Sequence, residues 1–209
     1  MSPAAGFQDV SPTILADILG RSQVMDIGIR PLYGEAGRVA GPAFTVRCPP
    51  ADNLMLHAAI YRAEPASVIV VQAGDLDYAV AGGNVCAVAQ RRGISAFVID
   101  GVIRDLAEVR EMDFPVFARG VIPVPGVKNA VLPLGKPVLC GGVTVYPGDL
   151  VVADEEGVVV VPAARQDQVL RDARAKDATE ASQTLDQWEA DHRARVDAIL
   201  REKGFAEPQ

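Results

Sequence analysis

Histidine and cysteine are scarce in this 209-residue chain: two histidines (His57, His192) and three cysteines (Cys48, Cys86, Cys140), far apart and odd in number. No Cys-x-x-Cys step occurs. A structural zinc site draws on clustered Cys and His, and a disulfide framework needs paired cysteines in a short secreted chain, so neither is expected. The three cysteines are expected in the core. Aromatic residues make up only 5%, whereas Val, Ala and Gly abound, which reads as a tightly packed, sheet-rich α/β protein. No apolar run approaches the roughly 18 residues that span a bilayer. The N-terminus lacks a basic segment followed by an apolar one, so a cytoplasmic protein without a membrane partner is expected. Positive charge is also short: 20 Lys and Arg against 27 Asp and Glu leave a net charge of −7. Nucleic-acid binders carry a basic patch; none is visible, and no nucleic-acid partner is expected. A local Arg or Lys pocket would still accept a small anion. There is no repeat of 20–50 residues and no low-complexity segment.

What is present is organised around residues 93–120, GISAFVIDGVIRDLAEVREMDFPVFARG. The apolar run Ala96-Phe97-Val98-Ile99 ends in Asp100-Gly101, followed by Arg104-Asp105 and Glu108; Pro115-Val116-Phe117-Ala118 then ends in Arg119-Gly120. This reads as strand, charged turn, short helix, strand. Ligands of α/β proteins sit beyond the carboxyl ends of strands, where Arg104 and Asp105 fall.

Upstream, Ser11-Pro12 opens a helix, with a hydroxyl cap and proline at the first helical position; Gly20 closes it. Residues 26–42, rich in Gly and Pro, read as an irregular connection. Residues 43–48 alternate with period two, as a strand does. Asp52 or Asn53 caps a helix to about Arg62, with His57 one turn after Asn53. Ser67 to Val71 is a buried, β-branched strand. After the loop 73–77, Gly82-Gly83 mark the start of a helix to Arg92. Free N–H groups at such a start attract anions, making Gly82, Gly83, Asn84 and Val85 a candidate backbone cradle.

Residues 121–136 form a loop carrying Lys128 and Lys136. Short apolar runs from 137 to 161, with turns at Gly141-Gly142, Pro147-Gly148 and Asp154 to Glu156, read as an all-β block. Residues 163–209 read as a helical extension to a domain spanning 1–162. It is charged, with a narrow stripe of Leu185, Trp188, Val196, Ile199 and Leu200 suited to leaning on a neighbouring subunit or on its own domain.

Arg104-Asp105 carries the chemistry. A planar guanidinium matches a carboxylate bidentately. A carboxylate with water in the remaining positions suits Mg²⁺ or Mn²⁺, which polarises the carbonyl of a 2-oxo acid. The alternative is an exposed ion pair in a helix's first turn. Glu108 either orients the site or complements the helix dipole. Asp100 reads as a turn cap. Asn53 and His57 line a pocket wall or are structural, and Lys128 is solvated by default.

Three segments together, GDLDYAVAGGNVCAVAQRRGISAFVIDGVIRDLAEV, PVFARG and GGVTVYPGDLVVADEEGVVVVP, resemble the 4-hydroxy-4-methyl-2-oxoglutarate/4-carboxy-4-hydroxy-2-oxoadipate aldolase family, which shares its fold with the regulator of ribonuclease E activity A (RraA). The similarity covers roughly residues 10–185. It implies an RraA-like swivelling β/β/α domain in a homotrimer or homohexamer, with sites at subunit clefts. It also implies a class II, metal-dependent pyruvate aldolase with oxaloacetate decarboxylase activity, of the kind used in aromatic degradation. By motif position Asp105 is the metal ligand, and Arg104 binds substrate and polarises its oxo group. The N–H groups of Asn84 and Val85 hold the pyruvate carboxylate. Asn53, His57 and Lys128 fall at pocket positions. Glu180 matches an acidic residue supplied by a neighbouring subunit to water on the metal.

One departure stands out. The acidic residue that these aldolases usually carry twenty-one positions before the arginine is Gly83 here. Asp75 or Asp77 is the expected substitute. Other readings are a same-fold enzyme acting on a different oxo acid and a non-catalytic ribonuclease E regulator-like binding protein; regulators lacking the aspartate after the arginine lose the metal ligand, and this chain keeps it.

Overall fold

A computed structural model describes residues 3–34 and 37–205. It divides into two compact units, 1–173 and 174–209.

The first unit is a mixed α/β structure around a seven-stranded sheet of order β1-β5-β4-β3-β2-β8-β9. In chain order these are β1 (Arg30–Pro31), β2 (Val39–Arg47), β3 (Val68–Gln72), β4 (Ala96–Ile103), β5 (Val116–Val121), β8 (Leu150–Asp154) and β9 (Gly157–Val161). A separate two-stranded ribbon joins β6 (Val138–Cys140) to β7 (Val143–Val145). Strands β2 to β5 run parallel. Their crossovers are the helices α2 (Leu54–Ala59), α3 (Gly83–Arg91) and α4 (Leu106–Glu111). The two ends of the sheet turn toward each other: the Met25 N–H donates to the Val158 carbonyl, and Val24 bridges Val159, so the sheet nearly closes into a barrel.

Period-two alternation divides the core. Ile69 and Val71 of β3 face α2, α3 and α4, together with Val46, Phe97 and Ile99. Val68 and Val70 point the other way, against Val98, Phe117, Val151, Val158 and the ribbon's Val138, Cys140 and Val145. A parallel strand buried on both faces must be apolar throughout, which is why β3 reads as an unbroken β-branched run. Outside β8 and β9, Leu150, Val152, Val159 and Val161 are covered by Phe7, by α1 (Pro12–Leu19) and by the start of α5 (Gln166–Ser182). Ser11 Oγ accepts from the Ile14 N–H, Pro12 occupies the first turn and Gly20 ends α1 at φ +77°. All three cysteines are buried and free.

Some local readings change in the fold. The strand expected at 43–48 begins at Val39. Residues 39–42 pair antiparallel with β8, and residues 43–47 pair parallel with β3. Gly41-Pro42 hides this from a pattern search, yet Gly41 is required: a Cβ there would stand 2.4 Å from the Ala66 carbonyl. The all-β block of 137–161 is not self-contained, because β8 and β9 extend the main sheet while β6–β7 stands apart. The first unit continues to residue 173, with Val169 and Ala173 buried against the N-terminal helices.

Asp100 is not a turn cap. It lies inside β4 at a bulge, where the register shifts between Ile99 and Val102. One carboxylate oxygen accepts from Arg119 Nε and the other, at 2.8 Å, from the Gly141 N–H. Arg119 also reaches Asp26 at 2.9 Å. This tie joins β4, β5 and the β6–β7 turn. Asp100→Ala leaves the Arg119 Nε and the Gly141 N–H without their acceptor, at a cost of about 1–3 kcal/mol. A fall in melting temperature of about 3–10 °C is expected, measured by calorimetry.

In the second unit, Thr184 and Gln187 form a reciprocal capping box at the start of α6 (Leu185–Glu202). Leu185, Trp188, Val196 and Ile199 are exposed on α6, and the Trp188 ring stacks on His192 with centroids 4.5 Å apart. No helix among the described residues is long and apolar enough to cross a membrane.

Candidate active site

The carboxyl ends of β3 and β4 feed one small cavity of about 90 Å³, lined by Asn53, His57, Gly82, Asn84, Val85, Arg104, Asp105 and Lys128, with Ala79, Ala81 and Pro125. Eight residues singled out from the sequence therefore meet in space, and all lie in the first unit. A larger, more open hollow of about 610 Å³ lies by Arg21, Asp26, Arg30 and Glu155. It mixes arginines with carboxylates and holds none of the nominated residues, so the smaller cavity is the candidate site.

Asp105 sits at the N-terminus of α4 in the left-handed region, φ +57° and ψ +39°. Non-glycine residues held there are uncommon and concentrate at functional sites; Asp tolerates the conformation better than most. Its Oδ2 accepts from the Gly83 N–H at 3.1 Å and pairs with Arg104 Nε at 3.1 Å. Its other oxygen and the terminal nitrogens of Arg104 have no partner among the described residues. Both side chains are partly exposed, so the ion pair itself contributes little stability. It orients the two groups.

The glycine pair makes this approach possible. A Cβ on Gly82 would stand 2.4 Å from Asp105 Oδ2 and 3.0 Å from Arg104 Cγ. Gly83 does not line the cavity. Its N–H is engaged by Asp105, which leaves the N–H groups of Asn84 and Val85, cavity-lining residues in the first turn of α3, without an intrahelical acceptor. Two aligned N–H groups at a helix start favour an anion.

The opposite wall is a strap, residues 124–130, tied on both sides. The Ala79 N–H donates to the Val124 carbonyl and the Gly126 N–H to the Ala79 carbonyl. The Asn53 N–H donates to Val127 and the Val127 N–H to Ala51. The sequence left the helix cap open between Asp52 and Asn53. It is Asp52 Oδ1 that accepts from the Leu54 N–H, while Oδ2 accepts from the Asn129 and Ala130 N–H groups. Burial pushes the Asp52 carboxyl up, but the donors Asn129, Leu54 and Ala130 outweigh it and hold it below the usual range. The strap brings Lys128 to the cavity.

Asn53 is 4% exposed, and its Nδ2 donates to the Gly126 carbonyl at 3.1 Å. That bond fixes the amide, leaving Oδ1 buried with no donor. A buried acceptor without a partner costs free energy that a bound ligand recovers. Burial, then the charge of Lys128, pushes the His57 imidazole down to about 4, against the opposing effect of its hydrogen bond to the Val80 backbone. His57 is therefore neutral at pH 7.

Asp75 and Asp77, the expected substitutes for the missing acid, stand outside the cavity lining. Asp75 builds its own turn, accepting from the N–H groups of Ala51, Asp77 and Tyr78. The carboxylate over Gly83 belongs to Glu108, whose Oε2 stands 1.9 Å from where a Gly83 Cβ would be. Glu180 lies in the second unit, on α5, paired with Lys176 at 2.9 Å. The orphaned oxygen of Asn53 and the Asp52 anchor carried no sequence signal, since both depend on where the strap lies.

An α/β barrel-like sheet with an Arg-Asp pair and a helix-start cradle at its strand ends defines the class, and the comparisons agree. Residues 9–160 match the RraA-like family, Aldolase/RraA. A Halalkalibacterium halodurans protein named "Putative 4-hydroxy-4-methyl-2-oxoglutarate aldolase" is 36% identical over 202 residues, covering 96% of this chain and 92% of its own length. A Burkholderia multivorans protein of the same name is 36% identical over 142 residues, covering 68% of this chain and 85% of its own. Streptomyces coelicolor RraAS2, described as an unusual member of the RNase ES inhibitor RraA protein family, superposes with a TM-score of 0.75 at 30% identity, over 86% of this chain and 93% of its own. The chain belongs to the RraA-like family and has its fold.

Proposed function

We propose that this chain is a divalent-metal-dependent lyase that cleaves a C–C bond of a 2-oxo acid and releases pyruvate. It would be of the 4-hydroxy-4-methyl-2-oxoglutarate/4-carboxy-4-hydroxy-2-oxoadipate aldolase type, with oxaloacetate decarboxylation as a second activity. The observation that carries this reading is that Arg104, Asp105, Asn84 and Val85, the last two at the start of α3, line one small cavity together. The names of the two aldolase relatives support the same reaction class.

The substrate's carboxylate rests on the Asn84 and Val85 N–H groups. Its oxo oxygen faces Arg104, whose charge stabilises the enolate as the bond breaks. A hydroxyl on the substrate would satisfy Asn53 Oδ1, and Lys128 would take a second carboxylate. Asp105 would hold Mg²⁺ or Mn²⁺. No group of three His, Cys, Asp or Glu side chains able to hold a metal occurs among the described residues, so water would fill the other positions, as suits Mg²⁺. When bound, the cation supplies Lewis-acid polarisation of the oxo group. Self-association in a trimer or hexamer is part of the reading, supported by the exposed stripe on α6. So is a cytoplasmic setting without nucleic-acid or membrane partners.

The test is pyruvate release from oxaloacetate and from 4-hydroxy-4-methyl-2-oxoglutarate, with excess Mg²⁺ or with EDTA, on wild type and Arg104→Ala. Metal-dependent release that disappears in the variant is expected. No release from either substrate, together with no cation binding, rejects the lyase reading in favour of a binding protein of the RraA kind.

A further inference from the structure

We propose that Glu108 is a second carboxylate of the Asp105 site, one that accepts hydrogen bonds from water around the cation; this rests on the metal-dependent reading above. Two acids are gathered on one residue that has no side chain. The Gly83 N–H donates to Asp105 Oδ2 at 3.1 Å, and Glu108 Oε2 stands 1.9 Å from where the Gly83 Cβ would be. Asp105 is the residue that precedes α4, and Glu108 follows three positions later in the helix's first turn.

Among the described residues the Glu108 carboxylate has neither an ion pair nor a hydrogen bond, whereas Asp105 Oδ2 is taken by Arg104 Nε and the Gly83 N–H. A hydrated cation on the other oxygen of Asp105 would bring water beside the unpartnered Glu108 carboxylate, which would accept from it and order it. The buried, unpartnered Asn53 Oδ1 independently marks the adjoining cavity as a place that takes a ligand. Glu108 itself is exposed and no part of the core. It acts through water, as a positioning residue.

The experiment is calorimetric titration of the full chain with Mn²⁺, alongside kcat, KM and melting temperature. The variants are Glu108→Gln, Asp105→Asn and the double variant Gly83→Asp with Glu108→Ala. Gly83 is in the first turn of α3, and removing the Glu108 carboxylate opens room for its new side chain. Glu108→Gln should weaken Mn²⁺ binding about ten-fold or more and lower kcat more than it changes KM, at unchanged melting temperature. The double variant should regain most of the affinity. Wild-type affinity and turnover in Glu108→Gln, with binding still lost in Asp105→Asn, overturns the role of Glu108 alone. Equal loss in Glu108→Gln and the double variant assigns the effect to α4 geometry and also overturns it. No Mn²⁺ binding by wild type removes the metal reading, and Glu108 with it.

Discussion

Replacing Asp105 by asparagine should lower metal-dependent pyruvate release by about 10³-fold or more, the scale on which a preorganised charged group acts on a transition state, while the protein stays folded. Asparagine is the informative choice. Asp105 sits at φ +57°, where Asn is at home and Ala is strained. An alanine variant would mix backbone cost with lost chemistry, whereas Asn keeps an oxygen for the Gly83 N–H and removes only the charge. The side chain is partly exposed, so the melting temperature should move by no more than a few degrees. The loss should persist at saturating Mg²⁺ or Mn²⁺, because the variant lacks the anion rather than a share of its affinity. Kinetics with each cation, beside a thermal melt, decide the matter. Turnover within a few-fold of wild type would reject Asp105 as the metal ligand.

Gly82→Ala should cost about 10²-fold in kcat/KM with little change in stability. Gly82 lies at φ −160° and ψ −173°, extended backbone that alanine adopts freely. The obstacle is the added Cβ, 2.4 Å from Asp105 Oδ2 and 3.0 Å from Arg104 Cγ. Both side chains are partly exposed and can swing away, so the fold tolerates the methyl group. The site does not, because a displacement of about 1 Å is enough for a loss of this size. A variant that keeps wild-type kcat/KM would show that the observed Arg104–Asp105 arrangement is not the working one.

The central charged turn, the glycine-marked start of α3 and the small helix α1 were legible residue by residue, because their signals are local. A cap, a positive-φ glycine and a β-branched run each act within a few positions. That Arg104-Asp105 falls at a strand end followed from the same reading, although β4 runs past Asp100 to Ile103 through a bulge that no periodicity reveals. The start of β2 was hidden by Gly41-Pro42, residues that local propensity assigns to a turn. Gly41 is required in the strand because the Ala66 carbonyl passes 2.4 Å from where its Cβ would be.

By itself the sequence determined the α/β class, the buried character of the cysteines, the family and eight of the residues that line the cavity. Tertiary structure alone decided which groups touch. Asp75 is occupied in its own turn, Asp52 anchors the strap, Asn53 is left with an unmet acceptor and Glu108 lies over Gly83. The physical reason is range. Caps and periodicity are set within a turn or two of chain, whereas the partner of a carboxylate depends on which strands pair and how far a loop is drawn across them.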